Sequence, residues 1–206
     1  MTTRQWAFLG LAVLVLAPIA YFLFRGGDDI TNYPPKNQII VAFGDSLVEG
    51  VGATPGNDFV SVVERTLGVE IINRGKSGDT TANGITRVDE VIAEDPGIVI
   101  VLLGGNDALR RVSKQETFTN LGTIIERLQS AGAVVVLLGV RGGILGDGYA
   151  NEFEALAETY HAPYVSNVLE GLITNPKLMH DGIHPNDQGY AIVAERVTEV
   201  LQTILR

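Results

Sequence analysis

Four short segments of this chain carry side chains whose types and spacing suit acyl transfer through a serine. They are Gly44-Asp45-Ser46-Leu47, Ser77-Gly78-Asp79-Thr80, Gly104-Gly105-Asn106-Asp107 and Asp181-Gly182-Ile183-His184-Pro185. A serine hydroxyl is a weak nucleophile until a base takes its proton, and the base needs a partner that holds its tautomer. The segments together supply a hydroxyl, a base, a carboxylate and donors for an oxyanion, and this combination predicts a serine hydrolase.

The last segment places a carboxylate and an imidazole on one loop. Gly182 and Pro185 disfavour a continuous helix there, so the loop can turn its two functional side chains toward each other. We expect Ser46 to be the nucleophile, His184 the base and Asp181 its partner. Taken alone, Asp-Gly and Pro-Asn are also ordinary turn signals before a helix, and it is the presence of the serine segment that favours the catalytic interpretation.

Two other histidines and a metal site are competing interpretations. His161 ends a predicted helix before an apolar strand, which favours a structural role, whereas His180 adjoins Asp181 and is a second candidate for the base. A metal site made of His180, Asp181 and His184 would lack a third nitrogen or sulfur ligand. We therefore expect neither a metal nor a cofactor.

Three hydrogen-bond donors are predicted to form an oxyanion hole. They are the backbone N–H groups of Ser46 and Gly78 and the side-chain amide of Asn106. Each donor aimed at the charge of a tetrahedral intermediate is worth roughly 2.7–4 kcal/mol. Glycine at position 78 lets the backbone approach closely, although Gly78 and Asn106 would also suit simple turns. Asp45 and Asp107 are expected to accept hydrogen bonds that build these loops.

Short apolar runs rich in Val and Ile alternate with amphipathic stretches along most of the chain. The runs predict strands at Gln38–Phe43, Val69–Ile72, Gly97–Leu103, Ala133–Val140 and, more weakly, Pro163–Ser166. Apolar residues three and four apart predict helices through Phe59–Leu67, Ile85–Ile92, Phe118–Leu128, Phe153–Tyr160 and Tyr190–Ile204. This alternation predicts a three-layer α/β/α fold around a flavodoxin-like five-stranded parallel sheet in the order 2-1-3-4-5.

The predicted sheet would bring the candidate residues together. Ser46, Gly78 and Asn106 each follow a strand, and these three strands are neighbours in the predicted order. Ligands of such sheets bind beyond the carboxyl ends of the strands. We therefore expect the three segments to converge on one edge.

The N-terminal segment differs from the rest of the chain. Trp6–Phe24 is a run of nineteen uncharged residues, and a helix of this length, at ~1.5 Å per residue, matches the hydrocarbon core of a bilayer. We expect residues 1–25 to form a transmembrane anchor. A cleaved signal segment is the alternative, although Pro18 lies badly for either candidate cleavage site.

Residues 26–36 are predicted to be a linker, because their glycine, aspartate and proline pairs cannot pack a core. The folded domain is expected to span residues 37–206. Arg4 and Arg25 balance each other across the anchor, so charge does not decide its orientation. The very short N-terminal tail favours a single-pass membrane protein whose catalytic domain lies on the periplasmic or extracytoplasmic side.

The predicted domain is acidic. It contains 12 Lys and Arg against 22 Asp and Glu, a net charge of −10. This charge repels phosphate backbones, so no nucleic-acid partner is expected. The chain contains no cysteine, which excludes disulfides, thiolate metal sites and lipid-modified cysteines and leaves the compartment undecided.

The four segments resemble the four sequence blocks of the SGNH, or GDSL, hydrolases. The chain is most similar to the bacterial acyl-CoA thioesterase/lysophospholipase (arylesterase) branch in Asn73–Thr81, Gly104–Arg110 and Asp181–Asn186. The resemblance implies the same triad and the same three oxyanion donors. Val48 stands where the nucleophile elbow of the α/β-hydrolases has glycine, which indicates a different scaffold.

The resemblance also implies which residues contact the substrate. They are Asp45, Leu47, Gly105, Arg141, Gly143, Ile144 and Ile183. The loop Arg141–Tyr149 is unusually rich in glycine, and in the branch this region flanks the acyl site. We expect this loop to form a mobile lip over the acyl pocket.

The function predicted from these residues is that of a serine esterase or thioesterase, of the arylesterase, lysophospholipase or acyl-CoA thioesterase type. It would act on small-molecule or lipid acyl esters through an acyl-enzyme, as a monomer. An O-acetylesterase of envelope sugars would use the same machinery on another substrate. A non-catalytic binding module tethered to the membrane is the alternative of a different class, and the presence of every catalytic group argues against it.

Overall fold

Five parallel strands form the centre of the fold. The computed structural model describes residues 30–140 and 148–205. The strands are β1 (Ile40–Gly44), β2 (Ile71–Gly75), β3 (Ile98–Leu102), β4 (Val134–Leu138) and β5 (Tyr164–Val165). They pair in parallel in the order β2-β1-β3-β4-β5, so the predicted sheet order is confirmed.

The helices are α1 (Ser46–Glu49), α2 (Phe59–Leu67), α3 (Thr81–Ile92), α4 (Gly105–Leu109), α5 (Lys114–Ser130), α6 (Tyr149–Thr159) and α7 (Asp187–Ile204), with a 3₁₀ turn at Pro176–Leu178. The longer helices pack in two groups. Helix α2 packs against α7, and α3 packs against α5, which also contacts α6. Because crossovers between parallel strands are right-handed, these two groups cover opposite faces of the sheet.

The central strands are apolar because both of their faces are covered. All five residues of β1, β3 and β4 are buried, whereas in β2 Ile71 is buried and Asn73 is exposed. The sequence places β2 at Val69–Ile72, but the strand begins and ends later. An edge strand is less buried than a central one and needs fewer apolar residues. The polar residues Asn73 and Arg74 therefore belong to β2, although the hydropathy pattern ends the strand before them.

The chain enters the domain along the amino ends of the strands. The Thr31 N–H donates to the His161 carbonyl at 3.2 Å, before β5, and Asn32 Nδ2 donates to the Ala133 carbonyl at 3.0 Å, before β4. Within the predicted linker, Thr31 and Asn32 thus satisfy carbonyl groups that lie just before two strands. The linker at residues 26–36 and the domain at residues 37–206 stay predictions.

The membrane prediction falls on residues that the structure does not describe. No helix in residues 30–140 or 148–205 is both long enough and apolar enough to cross a bilayer. The predicted anchor, Trp6–Phe24, lies outside these ranges.

Candidate active site

The serine lies on a sharp turn between β1 and α1, Gly44–Leu47, called the serine turn below. A Cβ atom on Gly44 would lie 2.3 Å from the Leu102 carbonyl oxygen and 2.4 Å from Val48 Cγ2. Only glycine therefore allows the turn to pack directly against the end of β3.

Ser46 is the first residue of α1, and Asp45 caps this short helix. Asp45 Oδ1 accepts the N–H of Leu47 at 3.0 Å. Ser46 keeps 8% of its surface exposed. Its backbone N–H has no hydrogen-bond acceptor among residues 30–140 and 148–205, so this donor is available to a ligand.

Asp181–Pro185, the histidine loop, brings an imidazole to the serine turn. His184 Nε2 lies 2.9 Å from Ser46 Oγ, and His184 Nδ1 lies 2.8 Å from Asp181 Oδ2. The other carboxylate oxygen of Asp181 accepts the backbone N–H groups of Ile183 and His184, each at 2.8 Å. The structure thus places the predicted hydroxyl, imidazole and carboxylate in one hydrogen-bonded row.

Asp181 is ionised at neutral pH, because its hydrogen bonds favour the charged carboxylate. Partial burial raises its pKa, but hydrogen bonds from the His184 ring and from the N–H groups of Ile183 and His184 outweigh burial and lower the pKa to about 2. The side chain is 45% exposed. An ionised Asp181 can therefore stabilise an imidazolium on His184 at neutral pH.

The residues that follow α1 support the histidine loop. Gly52 has a φ of +96°, and a Cβ atom there would lie 2.6 Å from the Pro185 carbonyl oxygen and 3.2 Å from His184 Cβ. The buried Tyr190 hydroxyl, on α7, donates to the Val51 carbonyl at 2.8 Å. These contacts hold the imidazole at its distance from the serine turn.

The first residue of α7 is tied to the same segment. Asp187 accepts the N–H and the hydroxyl of Thr54, both at 2.7 Å, and the Asn57 amide at 3.3 Å. The Thr54 bonds are the main cause of a lowered Asp187 pKa. The chain that leaves the histidine loop is therefore fixed within three residues of His184.

Gly78 lies in the turn between β2 and α3, with a φ of +82°. A side chain would be strained in this conformation. Its N–H has no acceptor in the described part of the chain, while its carbonyl accepts Arg110 Nη2 at 2.8 Å. Gly78 thus offers a second open backbone donor, and Arg110 holds the peptide bond after it.

Asn106 lies in α4, a short helix that the sequence pattern does not predict. Its Nδ2 atom donates to the Asp79 carbonyl at 3.0 Å and lies 3.4 Å from Asp45 Oδ2. Both neighbours are acceptors, so the amide nitrogen and not the amide oxygen faces them. The three predicted oxyanion donors therefore come from adjacent segments that follow β1, β2 and β3.

Asp107 fixes α4 to the beginning of α3. Its carboxylate accepts the Thr81 hydroxyl at 2.6 Å and the Thr81 N–H at 2.9 Å, and the residue is 1% exposed. These contacts hold the helix that presents Asn106.

Asp45 is a second carboxyl near His184, and it is buried, with 3% of its surface exposed. The pKa of Asp45 is raised to about 7. Burial is the main cause and the charges of Asp107 and Asp79 add to it, against the lowering effects of the Leu47 N–H and of His184. The predicted substrate contact of Asp45 stays a prediction, and the structure leaves little of this residue exposed to a substrate. The carboxyl contacts protein groups because the turn folds it inward.

The other predicted substrate contacts differ in their exposure. Leu47 is 7% exposed and packs in the core, so little of it is open to a substrate, whereas Ile183 is 43% exposed. Gly105 is partly exposed. Arg141, Gly143 and Ile144 lie outside the described residues.

The predicted lip, Arg141–Tyr149, ends at the first residue of α6. Gly148 caps α6, and Tyr149 is 4% exposed with its ring edge-on to Phe118, 5.3 Å between centroids. Tyr149, the last residue of the predicted lip, is thus a buried residue of α6, and the mobility of the lip stays a prediction. Residues 141–147 lie outside the description.

The two other histidines take no part in the contact with Ser46. His161 is exposed just after α6 with a φ of +49°, and His180 is exposed beside the histidine loop. Among residues 30–140 and 148–205, no three His, Cys, Asp or Glu side chains are placed to hold a metal ion.

A cavity of about 900 Å³ lies at the amino ends of β1 and β2, lined in part by Ile39, Leu67 and Ile72. It includes neither Ser46 nor His184. The cavity therefore lies at the amino ends of the strands, whereas Ser46 lies beyond the carboxyl end of β1.

Sequence reasoning missed several residues that shape the site. Leu109, three residues after Asn106, is 60% exposed, and an apolar residue so close to the Asn-Asp pair was a usable signal in the sequence. Gly52, Tyr190 and Arg110 act through partners distant in sequence. Only the folded chain reveals them.

Comparison with known proteins agrees with this geometry. The chain matches the GDSL-like Lipase/Acylhydrolase family over residues 42–192. It is 30% identical over 177 residues to the Arylesterase of Vibrio mimicus, covering 80% of this chain and 88% of that protein. It is 29% identical over 142 residues to Thioesterase 1/protease 1/lysophospholipase L1 of Escherichia coli K12, covering 66% of this chain and 68% of that protein.

A solved structure supports the same assignment. The crystal structure of TesA has a TM-score of 0.76 to this chain at 28% identity, and the match covers 81% of this chain and 99% of TesA. The family match includes all four segments that form the site. The chain therefore belongs to the GDSL-like lipase/acylhydrolase family.

Proposed function

We propose that Ser46, His184 and Asp181 are the nucleophile, the base and the orienting carboxylate of a serine ester hydrolase. The 2.9 Å contact between His184 Nε2 and Ser46 Oγ carries this assignment. His184 takes the hydroxyl proton while Ser46 Oγ attacks the ester or thioester carbonyl carbon. Asp181 stabilises the imidazolium that forms.

The charge that develops on the carbonyl oxygen is met by three donors, the N–H groups of Ser46 and Gly78 and Asn106 Nδ2. Collapse of the tetrahedral intermediate breaks the bond to the leaving alkoxide or thiolate, which takes the proton from His184. An acyl group then remains on Ser46. A water molecule, deprotonated by His184, hydrolyses this acyl-enzyme and restores the hydroxyl.

Labelling with a fluorophosphonate probe tests the assignment of the nucleophile. The full-length wild-type chain should be labelled at Ser46 and should hydrolyse p-nitrophenyl esters, and Ser46→Ala should do neither. Ser130→Ala, which alters an exposed serine on α5, is the matched control and should behave as wild type. Labelling that persists in Ser46→Ala would contradict the assignment.

Acyl esters and thioesters of small molecules or lipids are the proposed substrates. The names of the arylesterase and thioesterase/lysophospholipase relatives support this class. Leu109 and Ile183 add exposed apolar surface on the two segments that carry Asn106 and His184, and such surface suits an acyl chain. The values of kcat/KM for p-nitrophenyl esters and acyl-CoA thioesters of matched chain length should rise from acetyl to octanoyl.

The proposed location is a membrane, with residues 6–24 as a single-pass anchor and the domain on the extracytoplasmic side. The uncharged run in the sequence is the support for this proposal. The full-length chain should stay with membranes after alkaline carbonate extraction, and protease added to intact spheroplasts should digest the domain. A processed, soluble chain would indicate a cleaved signal segment instead.

The point at which the chain enters the domain favours a second substrate class, the O-acetyl esters of envelope carbohydrates. Lys36 Nζ donates to the Ala131 carbonyl at 2.9 Å, before β4, while Ser46 lies beyond the carboxyl end of β1. A five-residue strand spans roughly 16 Å at ~3.3 Å per residue, so entry and site lie at opposite edges of the sheet. With residues 6–24 in a bilayer, the site would face away from it, toward envelope polymers.

The acyl-chain profile separates the two substrate classes. Strong preference for p-nitrophenyl acetate, together with acetate release from acetylated polysaccharide, would favour the carbohydrate esterase. Rates that rise with chain length would exclude it in favour of lipid-derived esters. In either case we propose a monomer, because one chain supplies every member of the site, and sedimentation equilibrium would detect any dimer.

A further inference from the structure

The buried carboxyl of Asp45 contacts two parts of the oxyanion hole. Its Oδ1 atom accepts the Leu47 N–H at 3.0 Å, which holds the turn that carries Ser46. Its Oδ2 atom lies 3.4 Å from Asn106 Nδ2. The Asp45 carboxyl therefore links the serine turn, which carries the Ser46 N–H donor, to the side-chain amide of Asn106.

We propose that Asp45 is a positioning residue that holds the Asn106 amide at the oxyanion hole and couples it to the serine turn. Asn106 Nδ2 carries two hydrogens, and the Asp79 carbonyl accepts one of them at 3.0 Å. The second hydrogen faces Asp45 across a longer and weaker contact. Because this contact is long, the same N–H can also donate to an oxyanion as charge develops, while Asp45 keeps the amide in place. The proposal rests on the serine hydrolase function proposed above.

Capping of α1 alone does not require a carboxyl at position 45. Serine or asparagine would accept the Leu47 N–H equally well. Burial disfavours the charged form of Asp45 and raises its pKa to about 7, and the neighbouring Asp79 and Asp107 disfavour its charge as well. A carboxyl in such surroundings therefore indicates a role in addition to capping α1. The contact of Asp45 with Asn106 Nδ2 is that role in this proposal.

A double-mutant cycle in the full-length chain tests this coupling. Asp45→Asn, Asn106→Ala and the double variant are assayed on the p-nitrophenyl ester that the wild type hydrolyses fastest. Asn106→Ala removes one oxyanion donor and should lower kcat by ~10²–10³-fold. Asp45→Asn keeps the cap but presents an amide to Asn106, and it should lower kcat about tenfold with KM changed by less than about twofold.

The double variant decides between coupling and a purely structural role. If Asp45 acts through Asn106, the double variant should be no slower than Asn106→Ala, within about twofold. Losses that multiply in the double variant, or a wild-type kcat in Asp45→Asn, would overturn the proposal. Asp45→Ser, which keeps the cap and cannot reach Asn106, should repeat the result if Asp45→Asn folds poorly.

Asp58→Asn is the matched control, because Asp58 caps α2 as Asp45 caps α1 and accepts the Ser61 N–H at 2.9 Å. Asp58→Asn should leave kcat and KM unchanged. In the double variant with Asn106→Ala, it should leave the effect of Asn106→Ala on kcat unchanged. A wild type without turnover on any ester would refute the proposed function itself, before the cycle is measured.

Discussion

The serine turn and the histidine loop meet at one hydrogen bond but are built in opposite ways. In the serine turn Asp45 and Ser46 are 3% and 8% exposed, and the turn is packed against β3. In the histidine loop Ile183 is 43% exposed, and most of the internal hydrogen bonds end on Asp181. The sheet therefore preorganises the proposed nucleophile and oxyanion donors, whereas a few loop contacts locate the proposed base.

The two carboxyls near His184 show the same contrast in their pKa values. Burial raises the pKa of Asp45 to about 7, while hydrogen bonds from the His184 ring and loop backbone overcome partial burial and lower the pKa of Asp181 to about 2. Different environments thus assign different protonation states to similar groups. Asp181 is suited to stabilise a cation, and Asp45 is suited to accept neutral donors.

The largest expected effect is the loss of either partner of the bond that joins the two regions. Ser46→Ala, His184→Ala and the double variant should each lower kcat by ~10⁴–10⁶-fold, because the two side chains act as a unit. Steady-state hydrolysis of p-nitrophenyl esters measures the losses. Single losses that multiply in the double variant would show that the turn and the loop act independently.

The pH dependence of stability should distinguish the buried carboxyl from the exposed one. The folded pKa of Asp45, about 7, lies above its ordinary value of 3.8, so the folded state keeps a proton that the unfolded chain has lost. The free energy of unfolding should therefore fall as pH rises from about 4 to about 7, by at most about 4 kcal/mol. Denaturant titrations at pH 4.5 and pH 8 measure the difference.

Asp45→Asn should remove this decrease, and Asp181→Asn should leave it in place. Asp181 has the opposite sign, since its lowered pKa makes a contribution that is present above pH 4 or so and is lost toward its folded pKa of about 2. A decrease between pH 4.5 and pH 8 that survives in Asp45→Asn would show that another group titrates there.

A methyl group at Gly52 should displace the histidine loop while the serine turn stays in place. The new Cβ atom would lie 2.6 Å from the Pro185 carbonyl oxygen, so the loop must shift. We expect Gly52→Ala to lower kcat about 10²-fold, because displacement of about 1 Å has this effect on catalytic groups. Gly68→Ala is the control: its φ is also left-handed, at +67°, and nothing lies within 4 Å of the new atom. Equal kcat values for both variants would contradict this account of the loop.

The smallest expected effect is loss of the tether between α7 and the segment after α1. Tyr190→Phe removes the donor to the Val51 carbonyl and should lower the free energy of unfolding by about 1 kcal/mol, with a modest fall in kcat. Tyr164→Phe removes a similar bond, to the Ser166 carbonyl at 2.9 Å, and should leave kcat unchanged. A Tyr190→Phe variant with wild-type kcat would show that the bond serves stability alone.

The sheet order and the helices that cover it follow from local patterns. Runs of Val and Ile are buried on both faces in β1, β3 and β4, and apolar residues three and four apart form the faces of α2, α3, α5 and α7. The pattern fails at β2, an edge strand, and at α1 and α4. Helices this short have too few turns to show a periodicity, and α1 depends on the cap from Asp45.

Residue types and hydrophobic periods are local properties, so the reactive groups, the fold class and the end of the sheet where these groups meet could be predicted from the sequence. Which groups touch one another could not be predicted, because it depends on packing between distant segments. Ser46 and His184 are 138 residues apart and come within 2.9 Å through the fit of Gly52 against the histidine loop. The inward position of Asp45 was decided in the same way. Such contacts depend on how distant segments pack, and no local pattern encodes that fit.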